Sequence, residues 1–224
     1  MSLFRLDGPV FQFLERIANL ILLNLIFLIF CLPIFTIGPS LTALYSVSMK
    51  LVRKEETGIA RDFLQAFRLN FRQGCLLFLI FLGCGLLLAA DVFLLLYSPA
   101  IPEAYASPLL TATFAVILLL LLVACYAFPL LARFHVTLGN CLRFSLGMAF
   151  THIPTTIGVV SLAILPLFAL FLTIAQILHI FLPILFLIGF SVISYCQSWF
   201  LLRAFRRYTP EESETDNASD PQSL

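Results

Sequence analysis

Five runs of mostly apolar residues, each close to the length of a membrane-spanning helix, take up most of this chain of 224 residues. A helix that crosses the hydrocarbon core of a bilayer needs about 20 consecutive, predominantly apolar residues. Apolar residues make up 61% of the chain and charged residues 11%, against about 45–50% and 25% in soluble globular domains. The sequence therefore predicts an all-α fold, a polytopic transmembrane helical bundle. Its long spans are expected at residues 17–37, 75–97, 108–132, 153–175 and 180–202.

A shorter apolar stretch, residues 39–52, follows the first run. As a helix it would cover only about 21 Å, which is less than the thickness of the hydrocarbon core. Pro39 lacks a backbone N–H and Gly38 tolerates turn geometry. We therefore expect a Gly38–Pro39 turn that caps a helical hairpin at the outer membrane face, followed by a short sixth embedded helix.

The positions of the basic residues test this topology, because Lys and Arg near membrane spans mark the cytoplasmic side. With five crossings the N-terminus lies outside and most of the thirteen basic residues lie inside. With six crossings both termini and every basic residue lie inside. The rule favours six crossings and leaves five open, in which case residues 39–52 lie near the inner surface.

Both topologies predict the same domains and location. Residues 1–207 form a transmembrane helical domain with a cytoplasmic, amphipathic basic segment at 53–74. Residues 208–224 contain five acidic residues and no basic residue, a composition typical of a disordered cytoplasmic tail. We therefore expect a multi-pass protein of the bacterial plasma membrane with a cytoplasmic C-terminus.

The basic segment has the periodicity of an amphipathic helix that lies at a membrane interface. Its apolar face is predicted to contain Ala60, Phe63, Leu64, Phe67 and Phe71. Its polar face is predicted to contain Arg61, Gln65, Arg68 and Arg72. The pattern is compatible with two roles for this segment. It either only fixes the membrane topology or docks a cytoplasmic partner. Nucleic acid is not predicted as a partner, because the aromatic residues align with the apolar face and leave no aromatic platform on the basic face.

The wider candidate surface for a partner or for lipid headgroups includes the residues before this helix. Its members are Lys50, Arg53, Lys54, Arg61, Arg68 and Arg72.

Few polar residues interrupt the apolar runs. Asp91 and Asn24 are the candidates for an intramembrane polar site, because polar and ionisable groups at membrane depth commonly mark function. The structural alternative is that each is held by a neighbouring helix through hydrogen bonds.

The sequence contains no G-x-S-x-G, Walker or G-x-G-x-x-G motif, so no enzyme and no cofactor is predicted. The three histidines and six cysteines lack the spacing of a metal site, and free packing cysteines are expected.

Several short motifs in the N-terminal half resemble the YesL-like family of bacterial integral membrane proteins of unknown function. They include Leu32-Pro33, Thr36-Ile37-Gly38-Pro39, Ala43-Leu44-Tyr45, Lys50-Leu51-Val52-Arg53 and Asp62-Phe63. Phe128-Pro129, Arg133-Phe134 and Pro154-Thr155 extend the resemblance toward the C-terminus. The resemblance implies that Gly38, Pro39 and Tyr45 form a structural centre. It also implies an accessory role in carbohydrate uptake or envelope metabolism, because family members are often found beside carbohydrate-uptake transporters and polysaccharide-degrading enzymes.

Two functional hypotheses follow. In the first, the chain is an accessory or scaffold subunit that contacts membrane lipids and transporter permease or ATPase subunits. In the second, it is a small transporter or channel, formed as a homo-oligomer, with Asp91 and Asn24 lining the path. A membrane enzyme at the outer face is a weaker third hypothesis, since no catalytic pair supports it.

Overall fold

The computed structural model describes residues 9–55, 58–97, 102–134, 137–151, 156, 158, 160–162 and 188–205. Every regular element in this part of the chain is helical, which confirms the predicted all-α class. The elements are α1 (Pro9–Phe30), a 3-10 turn (Ile34–Thr36), α2 (Ile37–Val52), α3 (Ile59–Tyr97), α4 (Glu103–Arg133), α5 (Leu138–Thr151) and α6 (Phe190–Phe205).

Among the described residues, α3 and α4 are long and apolar enough to cross a membrane. They contain the predicted spans at 75–97 and 108–132. Most of the span at 153–175, the first part of the span at 180–202 and the acidic tail at 208–224 lie outside the described residues. The number of crossings and the disorder of the tail therefore stay predictions.

The reversal between α1 and α2 occurs at residues 31–36, earlier than predicted. The Thr36 hydroxyl oxygen lies 2.6 Å from the carbonyl oxygens of both Phe30 and Pro33, which share its one donated proton. The Ser40 hydroxyl also donates to the Phe30 carbonyl, at 3.2 Å. The two bonds to Phe30 satisfy a carbonyl that the end of α1 leaves free.

Gly38 and Pro39 lie in the first turn of α2, so the predicted Gly38–Pro39 turn is wrong. Pro39 is tolerated there because the first amides of a helix have no intrahelical acceptor. Gly38 does not adopt a positive φ angle, so turn geometry does not explain it.

Gly38 is needed because α2 touches α3 backbone to backbone. A Cβ atom added to Gly38 would lie 2.1 Å from the carbonyl oxygen of Gly74. A Cβ atom added to Gly74 would lie 2.8 Å from the Cα atom of Pro39. Only residues without side chains permit so close an approach of two helices.

From this crossing α2 runs antiparallel to the first part of α3. At the other end of α2, Lys50 Nζ lies 3.4 Å from Asp62 Oδ1. The start of α2 is therefore level with Gly74, where the apolar run of α3 begins. A hairpin tip at the opposite membrane face would instead lie level with Tyr97. The tip therefore lies beside the residue at which the predicted span 75–97 begins, and the membrane face that it occupies stays a prediction.

Helix α2 also connects two apolar cores. The first core joins α1, α2 and the start of α3, through residues that include Leu23, Val47 and Phe63. The second joins α4, α5 and α6, and Met49 of α2 contributes to it. Val47 and Met49 point to different sides of α2, so one short helix is central to the packing of both cores.

We expect Gly38→Ala and Gly74→Ala to destabilise the protein, because each new methyl group meets backbone atoms that cannot move aside cheaply. Overpacking of this kind costs about 1–3 kcal/mol. Gly83→Ala is the matched control, since its Cβ would meet no atom within 4 Å. Thermal unfolding of the three variants in detergent checks this. Equal melting temperatures for Gly38→Ala and Gly83→Ala would contradict the tight crossing.

Candidate functional site

The first sixteen residues of α3 form an amphipathic surface, but its buried face differs from the predicted one. Buried positions on α3 recur at helical spacing and face α2; they are Ile59, Phe63, Ala66, Asn70 and Gly74. Phe63 was predicted on this face, whereas Ala60, Leu64 and Phe71 are exposed. The segment therefore does not lie alone on a membrane surface, because its buried face is covered by another helix.

Arg61, Arg68 and Arg72 are exposed on the side of α3 that faces away from α2. We call these three residues the arginine stripe. A shallow depression of about 410 Å³ lies beside the stripe, lined by Arg68, Leu69, Asn70, Arg72 and Gln73. The N–H groups of an exposed guanidinium can donate paired hydrogen bonds to a carboxylate or a phosphate.

The other three residues of the predicted basic surface have a different setting. Lys50 pairs with Asp62 at 3.4 Å, and Arg53 Nε lies 2.9 Å from Glu55 Oε1. Lys54 lies between them with a positive φ angle of 56°, in the bend that follows α2. The exposed Arg53–Glu55 pair contributes little to stability, whereas the Lys50–Asp62 pair is partly buried. They do reduce the charge available to a partner, so the arginine stripe is the stronger candidate surface.

A second polar feature lies inside the bundle, where side chains of α1 and α2 bond to α6. The Asn24 Oδ1 atom accepts a hydrogen bond from the backbone N–H of Ser191 at 3.2 Å. Ser194 Oγ donates to Ser48 Oγ at 3.0 Å, and the Tyr45 hydroxyl donates to Gln197 Oε1. We call these six residues the polar seam. All except the partly buried Tyr45 are buried.

The groups of the polar seam are neutral, and they hydrogen-bond one another across helices. Such bonds supply directional contacts between otherwise apolar helices. The alternative in which Asn24 is held by a neighbouring helix is thus what the structure shows. Tyr45, expected as part of a structural centre, also bonds across helices. Ser48 and Ser194 were missed, although Ser191, Ser194 and Gln197 recur every three residues in the last apolar run.

Asp91 lies far from Asn24, so the predicted pair does not form one site. The Thr113 hydroxyl donates to Asp91 Oδ2 at 2.6 Å, which joins α3 to α4. Helix α1 reaches α3 near Phe67, whose ring lies 4.9 Å from that of Phe30. Asp91 is 24 residues (91 − 67) further along α3, which is about 36 Å along the helix axis.

Within the described part of the chain, no group of three His, Cys, Asp or Glu side chains is placed to hold a metal ion. All six cysteines have free thiols. The candidate features among the described residues are therefore the cationic arginine stripe and the hydrogen-bonded polar seam.

Residues 20–92 match the model of a family described as "Protein of unknown function, DUF624". The matched region contains the Gly38–Gly74 crossing, the arginine stripe and Asp91, and it ends before α6. No curated protein and no solved structure shows a significant match to the chain.

We expect Asn24→Ala to lower the free energy of unfolding by about 1–3 kcal/mol, because the Ser191 N–H would lose its buried acceptor. Ser198→Ala is the control on α6. Its hydroxyl is fully buried and has no hydrogen-bond partner in the described part of the chain, so its removal should leave stability unchanged or higher. Thermal unfolding compares the two variants. A larger loss for Ser198→Ala than for Asn24→Ala would show that the polar seam does not hold the bundle.

Proposed function

We propose that this chain is a multi-pass protein of the bacterial cell membrane that acts as an accessory or scaffold subunit. In this role the arginine stripe docks an acidic surface of a membrane or cytoplasmic partner. Transporter permease or ATPase subunits for carbohydrate uptake are the proposed partners, by the resemblance to YesL-like proteins. The match of residues 20–92 to a family of unknown function is compatible with this role.

The observation that carries the proposal is the continuity of α3. This helix has 39 residues, so it is about 58 Å long, whereas a bilayer core is about 30 Å thick. Only 6% of its most apolar stretch is buried against the rest of the chain. That stretch fits a lipid environment, and the start of α3 then projects beyond it. The arginine stripe is thus rigidly joined to a membrane anchor.

The spacing of the stripe suggests the form of the partner surface. Arg68 and Arg72 are one helical turn apart, and Arg61 lies about two turns before Arg68. Acidic side chains at helical spacing on a partner helix would face all three. Complementary charge of this kind affects the specificity and the rate of association more than the affinity.

A small oligomeric transporter or channel remains the second candidate, because of Asp91. This carboxylate is exposed on an apolar helix. A carboxylate that faces lipid costs free energy. Contact with another copy of the chain, or with a water-filled path, would lower this cost. Such a path would run beside Thr113 and would not include Asn24.

The triple variant Arg61→Glu, Arg68→Glu and Arg72→Glu tests the docking role. Like charges placed against each other at an interface cost several kcal/mol, so we expect binding of the partner to weaken by about a hundredfold or more. A tagged pull-down from native membranes in mild detergent, followed by mass spectrometry, measures this. The control is the triple Arg→Lys variant, which keeps the charge and should retain much of the partner. Full recovery of every partner by the Arg→Glu variant would contradict the docking role.

Asp91→Asn separates the two candidate functions. The scaffold role predicts an unchanged set of co-purified partners, because Asp91 lies far from the arginine stripe. The transporter role predicts loss of solute flux in proteoliposomes, because the charge of the path is removed. Thr113→Val is the companion variant, since it removes the hydroxyl that bonds to the carboxylate. Flux by the original chain that is abolished in Asp91→Asn would overturn the scaffold proposal.

A further inference from the structure

A groove lies at the corner where α4 ends and α5 begins. Its volume of about 450 Å³ falls in the range of small-molecule sites, which is about 300–1,000 Å³. Its walls are mainly apolar, formed by Leu130 and Phe134 at the end of α4 and by Phe144 and Met148 of α5. An apolar groove of this size suits a hydrocarbon chain more than a polar solute.

One charged side chain, that of Arg143, lines the same groove. Arg143 is exposed, and no carboxylate among the described residues forms an ion pair with it. A second guanidinium is close, because Arg133 lies 5.6 Å from the centroid of the Phe134 ring. The groove therefore combines apolar walls with a cationic rim, which matches a molecule that has an acyl chain and an anionic head.

Gly147 keeps part of this groove open. A Cβ atom added at Gly147 would meet no atom of the described residues within 4 Å, so none of them fills the space above its backbone. Gly147 lies on α5 between Phe144 and Met148, on the stretch of helix that lines the groove. A large side chain at this position would occupy the groove without displacing the backbone.

The position of the groove along α4 identifies the source of such a molecule. The apolar run of α4 at residues 108–132 is long enough to cross a bilayer, and the groove begins at Leu130, at the end of that run. Lipid headgroups lie at the ends of membrane-spanning helices, where Arg side chains reach their phosphates. We propose that the groove binds one anionic phospholipid from the surrounding bilayer, with an acyl chain along the apolar walls and the phosphate at Arg143. This inference rests on the membrane location given under the proposed function.

Three variants of the full chain test the site. Gly147→Leu fills the groove, and Arg143→Gln removes the cation while leaving the walls intact. Gly139→Leu is the matched control, because Gly139 is also an exposed glycine of α5 with no atom within 4 Å of an added Cβ. Each protein is extracted from the membrane fraction, purified in detergent and titrated with phosphatidylglycerol or with phosphatidylcholine of the same acyl chains. Native mass spectrometry counts the bound lipids and reports the oligomeric state.

We expect the original chain and Gly139→Leu to hold one phosphatidylglycerol, with an affinity at least about tenfold above that for phosphatidylcholine, because the choline cation offsets the phosphate charge that Arg143 binds. Gly147→Leu should lose the bound lipid. Arg143→Gln, an exposed substitution that leaves the fold intact, should lose the preference between the two lipids.

Equal lipid binding by Gly147→Leu and Gly139→Leu, or equal affinities for both lipids in the original chain, would overturn the proposal. A dimer that Gly147→Leu dissociates would overturn it too, because the groove would then be an interface between copies.

Recovery of the chain in the membrane fraction is scored separately. A chain that is absent from membranes refutes the proposed membrane location and this inference with it. A chain that is present in membranes but binds lipid without preference refutes this inference alone.

Discussion

The contact between the backbones of Gly38 and Gly74 is the constraint on which the rest of the described packing depends. It brings the start of α2 against the middle of α3 and leaves no room for a side chain on either helix. From that point α2 follows α3 back to the Lys50–Asp62 pair, so a crossing at one end fixes the direction of the whole helix. Because α2 contributes to both apolar cores, the Gly38–Gly74 contact also sets the position of one core relative to the other.

The polar seam fixes the position of the helices along one another, which apolar packing alone cannot do. Leucine and phenylalanine surfaces tolerate small shifts along a helix, whereas a buried hydroxyl or amide has one favourable partner. Ser48 with Ser194, and Tyr45 with Gln197, lie one turn apart on both helices, so α2 and α6 are antiparallel and their offset is defined. Asn24 then ties α1 to the beginning of α6. Three helices from distant parts of the sequence are thereby aligned.

Sequence reasoning succeeded where the signal was local and failed where it depended on a distant partner. The all-α class follows from the length of the apolar runs, and the arginine stripe follows from helical periodicity alone. Gly38 was assigned to a turn because Gly-Pro is a local turn signal. Its true reason is Gly74, 36 residues (74 − 38) away, which no pattern around Gly38 reveals. Single serines in an apolar run are equally ambiguous, so Ser48 and Ser194 became informative only once their helices were adjacent.

The antiparallel pairing of α3 and α4 brings the two cationic surfaces to one end of the molecule. Asp91 bonds to Thr113 at one end of this hairpin, and the rings of Phe81 and Phe128 lie 6.0 Å apart further along it. The same register places the end of α4 beside the region of α3 that follows Arg72. Arg143 and the arginine stripe therefore share one side of the hairpin, and in the proposed placement they share one membrane face. A bilayer whose anionic lipids bind at Arg143 would hold that end of the hairpin at the headgroup level. Since α3 is continuous, this contact would also set the height at which the arginine stripe meets a partner.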